Sequence, residues 1–120
     1  RALHVVGEIT RVEDGVKALR QGQLATFGRC MFESQASSTH NFENSCAEID
    51  ALVDIARTLP GAIGARISGG GFGGITVHLV QAELAPAYAR ELGRQYQARI
   101  GLAADIMICQ AADGAQRFTV

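Results

Sequence analysis

The feature that most restricts this chain is Ser68-Gly69-Gly70-Gly71-Phe72-Gly73-Gly74, in which every position from Gly69 to Gly74 except Phe72 is glycine. Each glycine carries a conformational-entropy cost of about 0.5–1 kcal/mol relative to Ala, so this density demands a geometric reason. Two reasons are available. Backbone N–H groups can converge on an anion such as phosphate, or another segment can need to approach the backbone closely. Short apolar segments flank the run at Ala62 to Ile67 and at Ile75 to Val80, the second β-branched at Ile75, Thr76, Val77 and Val80. Both read as strands. That reading argues against two familiar phosphate motifs. Gly69, Gly71 and Gly74 satisfy G-x-G-x-x-G, but the dinucleotide fingerprint needs a helix after the last glycine, and here a strand follows. The glycine spacing of a P-loop is also present, yet Ile75 stands where that motif needs Lys. On physical grounds the loop is either ligand-facing or a structural hairpin.

Upstream of the loop the apolar period is helical. Leu3, Val6, Ile9, Val12, Val16 and Leu19 define a first helix with no Ser, Thr, Asp or Asn ahead of it as a cap, and the chain opens on Arg1. A helix that begins earlier, in a longer protein, is expected. After a turn at Gln21-Gly22, a second helix carries Leu24, Phe27 and Met31 as far as Ala36, and Ser37 to Asn41 reads as a loop. Ser45 and Glu48 have the spacing of a capping box for a third helix, with Ile49, Leu52, Val53, Ala56 and Leu59 on one stripe and Pro60-Gly61 at its end. Pro86 suits the first turn of a fourth helix that Gly101 stops. A third strand is predicted at Asp105 to Gln110, and a short edge strand at Arg117 to Val120. The fold class is therefore α+β: a ferredoxin-like sandwich with helices packed on a small, mainly antiparallel sheet.

At 120 residues the chain makes one domain over 1–120, short for a complete enzyme with two substrate sites. Its 11 Lys and Arg nearly balance 12 Asp and Glu, so neither nucleic acid nor an anionic membrane is expected as a partner. No apolar run is long enough to span a bilayer. Cys30, Cys46 and Cys109 lack the close pairing of metal or redox motifs, which suggests reduced thiols in the cytoplasm. Cys46 and Cys109 read as buried small hydrophobes.

The segment Gly64-Ala65-Arg66-Ile67-Ser68-Gly69-Gly70-Gly71-Phe72-Gly73-Gly74 resembles the third conserved motif of the GHMP kinases. His4-Val5-Val6-Gly7-Glu8, Phe27-Gly28-Arg29, Glu33-Ser34, Ser45-Cys46, Asp50-Ala51-Leu52 and Ala111-Ala112-Asp113-Gly114-Ala115 are similar, in order, to the galactokinase branch of that superfamily. The resemblance implies ATP-dependent transfer of the γ-phosphoryl group to the anomeric hydroxyl of galactose in a full-length parent that uses ATP and Mg2+. It also implies that the catalytic and sugar-binding residues belong to an N-terminal domain absent from this chain. The fragment is then inactive alone, binds no cofactor stably, and contributes Ser68, Gly69, Gly70, Gly71, Phe72, Gly73 and Gly74 as a phosphate-proximal wall. The same resemblance fits a catalytically silent sugar and ATP sensor or a kinase of another sugar. Thr39-His40-Asn41-Phe42-Glu43-Asn44 departs from the branch in carrying fewer acids, and Ala47 and Ile75 replace a frequent Pro and Cys.

No catalytic or metal-binding residue is assigned in this chain. Arg66 is a secondary anion-site candidate, although pairing with a carboxylate of the same domain is the plainer reading. His4, His40 and His78 read as structural. Phe72, the one large side chain in the loop, is expected to anchor it to the core.

Overall fold

The computed structural model describes residues 1–117. Four α-helices and two strands follow in the order α1 (Ala2–Arg20), α2 (Leu24–Ser37), α3 (Ala47–Thr58), β1 (Ala62–Ser68), β2 (Ile75–Val80) and α4 (Ala85–Ile100). The strands form an antiparallel pair in which Ala65 faces His78, Arg66 faces Val77 and Ile67 faces Thr76. Opposed residues share a face, so Ala65, Ile67, Thr76 and His78 point one way. Ala65 and Ile67 are fully buried on that side. There α3 and α4 close the main core with Val53, Ile55, Ala56, Tyr88, Leu92 and Tyr96.

The free edge of β1 is occupied by α2. An added Cβ at Gly28 would sit 1.8 Å from the Ile63 carbonyl oxygen, and one at Gly64 would sit 2.6 Å from the Gly28 Cα. The helix and strand backbones are therefore nearly in contact, at a distance only paired glycines permit. Slightly further along, the Ile67 N–H donates to Gln35 Oε1 at 2.8 Å. A side-chain amide thus satisfies a strand-edge donor that would otherwise be a buried orphan.

Several local expectations are corrected. The segment expected to be a loop from Ser37 stays helical: Ser38–Phe42 is a π-turn that ends at Glu43 in the left-handed region (φ 63°). The N–H groups of Glu43 and Asn44 both donate to the Ser38 carbonyl, which draws the chain around the wider turn. The capping box does not form, because Cys46 takes the N-cap position of α3 without a side-chain bond, and the Ser45 hydroxyl donates to Asp50 instead, at 2.7 Å. Residues 105–110 form no strand. They run exposed beside α4, where Ile106 Cδ1 packs 3.4 Å from the Cβ position of Gly93. This segment pairs with neither strand, so among the described residues the sheet has two strands. The α+β class and the antiparallel pairing stand without it. The edge strand expected at 117–120 lies, beyond residue 117, outside the described residues. Cys109 is exposed and Cys30 and Cys46 are partly buried; all three are free thiols.

Gly28→Ala should destabilise the protein by at least about 2 kcal/mol, since overpacking against backbone cannot be relieved by a rotamer change. Urea unfolding measures this, and an unchanged midpoint would contradict the backbone contact described.

Candidate functional site

The glycine loop leaves β1 at Ser68 and returns at Ile75. Positive φ at Gly69, Gly71, Phe72, Gly73 and Gly74 curls it away from the sheet. Its point of attachment is Asn44, beyond the π-turn. The Phe72 N–H donates to the Asn44 carbonyl at 2.6 Å, and the Asn44 side-chain amide reaches the Gly70 carbonyl at 3.4 Å. Gly71 passes so close that an added Cβ would meet the Asn44 carbonyl oxygen at 2.3 Å. Phe72 is not the anchor its type suggests: its side chain is 74% exposed. Its left-handed backbone (φ 61°) presents the N–H to Asn44 and turns the ring outward. The loop is held by backbone.

Gly70 differs from Gly71. No atom lies within 4 Å of its Cβ position, and its φ is not in the left-handed region. Nothing among the described residues requires glycine there.

Behind Asn44 stands a polar node centred on Gln35, which is 97% buried because only 3% of it is exposed. Its amide nitrogen donates to Ser45 Oγ at 3.0 Å and to Asp50 Oδ1 at 3.1 Å. Asp50 Oδ1 also accepts from Thr39 Oγ1 at 2.9 Å and from Ser45 Oγ at 2.7 Å. One carboxylate oxygen therefore joins α2, the π-turn and α3, while the other end of Gln35 fixes β1 just before the loop. These residues escape sequence reading because their partners lie far along the chain. Gln35 carries no local signal, because α2 also holds Arg29, Glu33, Ser34 and Ser37.

Arg66 contacts Glu8 at 3.9 Å, which is the internal carboxylate pairing. Glu8 also accepts from Ser34 Oγ at 2.8 Å and from Arg11 Nε at 2.5 Å. Burial raises the Glu8 pKa, but the bond from Ser34 and the bond and charge of Arg11 outweigh it, so the carboxyl titrates below its ordinary value. His4 lies 3.0 Å from Ser37 Oγ and packs on Phe42, and His40 is exposed. His78 lies on the core face, with Nε2 at 2.8 Å from Thr76 Oγ1 and Nδ1 at 2.5 Å from Tyr88 Oη. Both ring nitrogens are thus satisfied by neutral hydroxyls, and burial lowers the His78 pKa to about 4.

No group of three His, Cys, Asp or Glu able to hold a metal occurs among the described residues. Two surface hollows, of about 350 and 470 Å³, lie against α2 and α3 and against α3 and α4, and neither is lined by a loop residue. No helix among the described residues is long and apolar enough to cross a membrane.

A family model described as "GHMP kinases C terminal" matches residues 16–98. The chain belongs to that kinase family. It is 47% identical over 116 residues to a galactokinase of Homo sapiens, covering 97% of this chain and 29% of the relative. A galactokinase of Roseiflexus sp. (strain RS-1) is 43% identical over 117 residues, covering 98% of this chain and 30% of the relative. The crystal structure of Lactococcus lactis galactokinase complexed with galactose superposes with a TM-score of 0.83 at 34% identity, over 86% of this chain and 26% of that one. The chain thus spans less than a third of the length of these GHMP kinase relatives.

The His78 environment sets a pH dependence. Between about 4 and 6.5 the unfolded imidazole is protonated while the folded one is not, so the unfolded state binds more protons and stability rises with pH. The contribution is fully present above 6.5, is lost as pH falls towards 4, and amounts to at most about 3 kcal/mol. His78→Gln should flatten the pH dependence of unfolding across that interval; an unaltered slope would contradict the assignment. Glu8 acts in the same direction but lower, losing its contribution as pH falls below the ordinary carboxylate value.

Proposed function

We propose that residues 1–120 are the C-terminal domain of a longer, cytoplasmic kinase, here called the parent, that transfers the γ-phosphoryl group of ATP to the anomeric hydroxyl of galactose. The observation that carries this reading is the similarity to galactokinases along 97% of the chain, at 47% identity. The likeness to a galactokinase structure complexed with galactose supports it.

In the reaction a bond forms between the anomeric oxygen and the γ-phosphorus while the bond from that phosphorus to the β–γ bridging oxygen breaks. ADP leaves, and the hydroxyl proton passes to a base outside this chain. Phosphoryl transfer of this kind depends on positioning and charge stabilisation. The contribution of this chain is the backbone of Gly69 to Gly74, fixed to Asn44 on one side and open on the other. Gly70 supports that role, because the space beside it is empty within the described residues and a side chain there would project into whatever the loop faces. Arg66 shares Glu8 with Arg11, which pairs with it more closely, and is not part of this reading. Magnesium is assigned in this reading to the rest of the parent; no group of three His, Cys, Asp or Glu able to hold a metal occurs among the residues described here.

Gly70→Val in the parent should lower kcat/KM for galactose phosphorylation at least tenfold while leaving the melting temperature nearly unchanged. This chain alone, given galactose and Mg-ATP, should show no turnover. Undiminished activity of the variant, or turnover by the isolated chain, would overturn the proposal.

A further inference from the structure

The first helix has three sides. At 3.6 residues per turn, His4, Gly7, Glu8, Arg11, Gly15 and Ala18 share the side that meets α2. The contacts are polar or minimal: His4 lies 3.0 Å from Ser37 Oγ, Glu8 accepts from Ser34, and Gly15 admits the Phe27 ring at 3.4 Å from its Cβ position. The three pairs run in opposite directions along the two helices, so α1 and α2 form an antiparallel hairpin joined by small and polar groups. A second side carries Thr10, Glu13, Asp14 and Lys17, with a solvent-facing ion pair between Lys17 and Asp14 at 3.7 Å. Between these two sides lies a stripe of Val5, Ile9, Val12, Val16 and Leu19.

That stripe is bare. Ile9 is 58% exposed and Val12 63%, and Val5, Val16 and Leu19 are also exposed; Leu3 and Val6, exposed too, lie at the first turn above the second side. A surface helix ordinarily turns its apolar stripe inward. Here the inward side is glycine, alanine and ion pairs, and the aliphatic residues face out. A contiguous, uncharged aliphatic surface bounded by a charged side marks an interaction site.

We infer that the Val5, Ile9, Val12, Val16 and Leu19 face of α1 is the seat of the part of the parent chain that precedes Arg1. The inference rests on the reading of this chain as part of a longer kinase. The matched family model describes a C-terminal region, and relatives extend well beyond the 29% that this chain covers. The absent portion therefore precedes α1 and is delivered to its first turn, next to exposed Leu3 and Val6. A covalently attached segment arrives at a high effective concentration, which favours it over a second copy for an uncharged surface that offers no electrostatic selection. The occupant is predominantly aliphatic and stops at the Glu13, Asp14 and Lys17 side.

The test uses the full-length parent, made as Val16→Cys and, separately, as Lys17→Cys. Adjacent positions then report the covered and the charged sides of the same turn. Maleimide labelling followed by peptide mass spectrometry, at protein concentrations where gel filtration shows a monomer, should modify the cysteine at 16 at least tenfold more slowly than that at 17. Equal labelling rates would overturn the inference. Protection at 16 that appears only as concentration rises would also overturn it, assigning the face to a second copy. Galactose phosphorylation is measured on the same preparations: protection without activity would reject the kinase reading and keep the interface, and activity without protection would do the reverse. Val12→Asp provides a second readout, with a lower melting temperature for the parent expected and an unchanged one contradictory.

Discussion

The contact on which the rest depends is the approach of α2 to the free edge of β1. Gly28 and Gly64 let the two backbones nearly touch, and that proximity brings Gln35 within reach of the Ile67 N–H. Once Gln35 is fixed, its amide nitrogen holds Asp50 and Ser45, which set the entry to α3 and the backbone leading to Asn44. Asn44 then holds the glycine loop at Phe72 and Gly71. A chain of short, directional contacts links a helix–strand junction to the outer wall of the candidate site. The buried members of this network are satisfied, apart from Asn44 Oδ1, Arg11 Nη2 and Arg66 Nε, which find no partner among the described residues.

This geometry separates two kinds of glycine in one loop. Gly71 is needed by the fold, because Asn44 occupies the place of its side chain. Gly70 is not needed by any described neighbour, and the space beside it is empty among the described residues. The distinction gives the glycine-rich loop one side held at Asn44 and another that no described residue fills.

The four helices and the strand pair were legible because each follows a strong local period: 3.6 in Leu3 to Leu19 and Ile49 to Leu59, and β-branched runs beside the glycines. What was not legible is long-range. The Ser45 hydroxyl is drawn to Asp50 rather than to its own helix terminus, and Phe72 is turned out by a backbone bond to Asn44 that no spacing rule reveals. The segment 105–110 has the composition of a strand, but strand pairing is a long-range event that composition does not fix, and Ile106 lies beside Gly93 of α4 instead. The direction of the α1 stripe was likewise hidden. Periodicity shows that Ile9, Val12, Val16 and Leu19 share a side, and only the hairpin with α2 shows that this side faces outward.

The central claim is that the loop from Gly69 to Gly74 borders the nucleotide phosphates of a longer sugar kinase while Asn44 holds its inner side. Backbone hydrogen exchange across that loop in the full-length parent, with and without galactose and Mg-ATP, tests it most directly. The account predicts that ligand slows exchange at Gly69, Gly70 and Gly73, whereas Phe72, already bonded to Asn44, changes least. Exchange at the glycines that is unaffected by saturating ligand would contradict it.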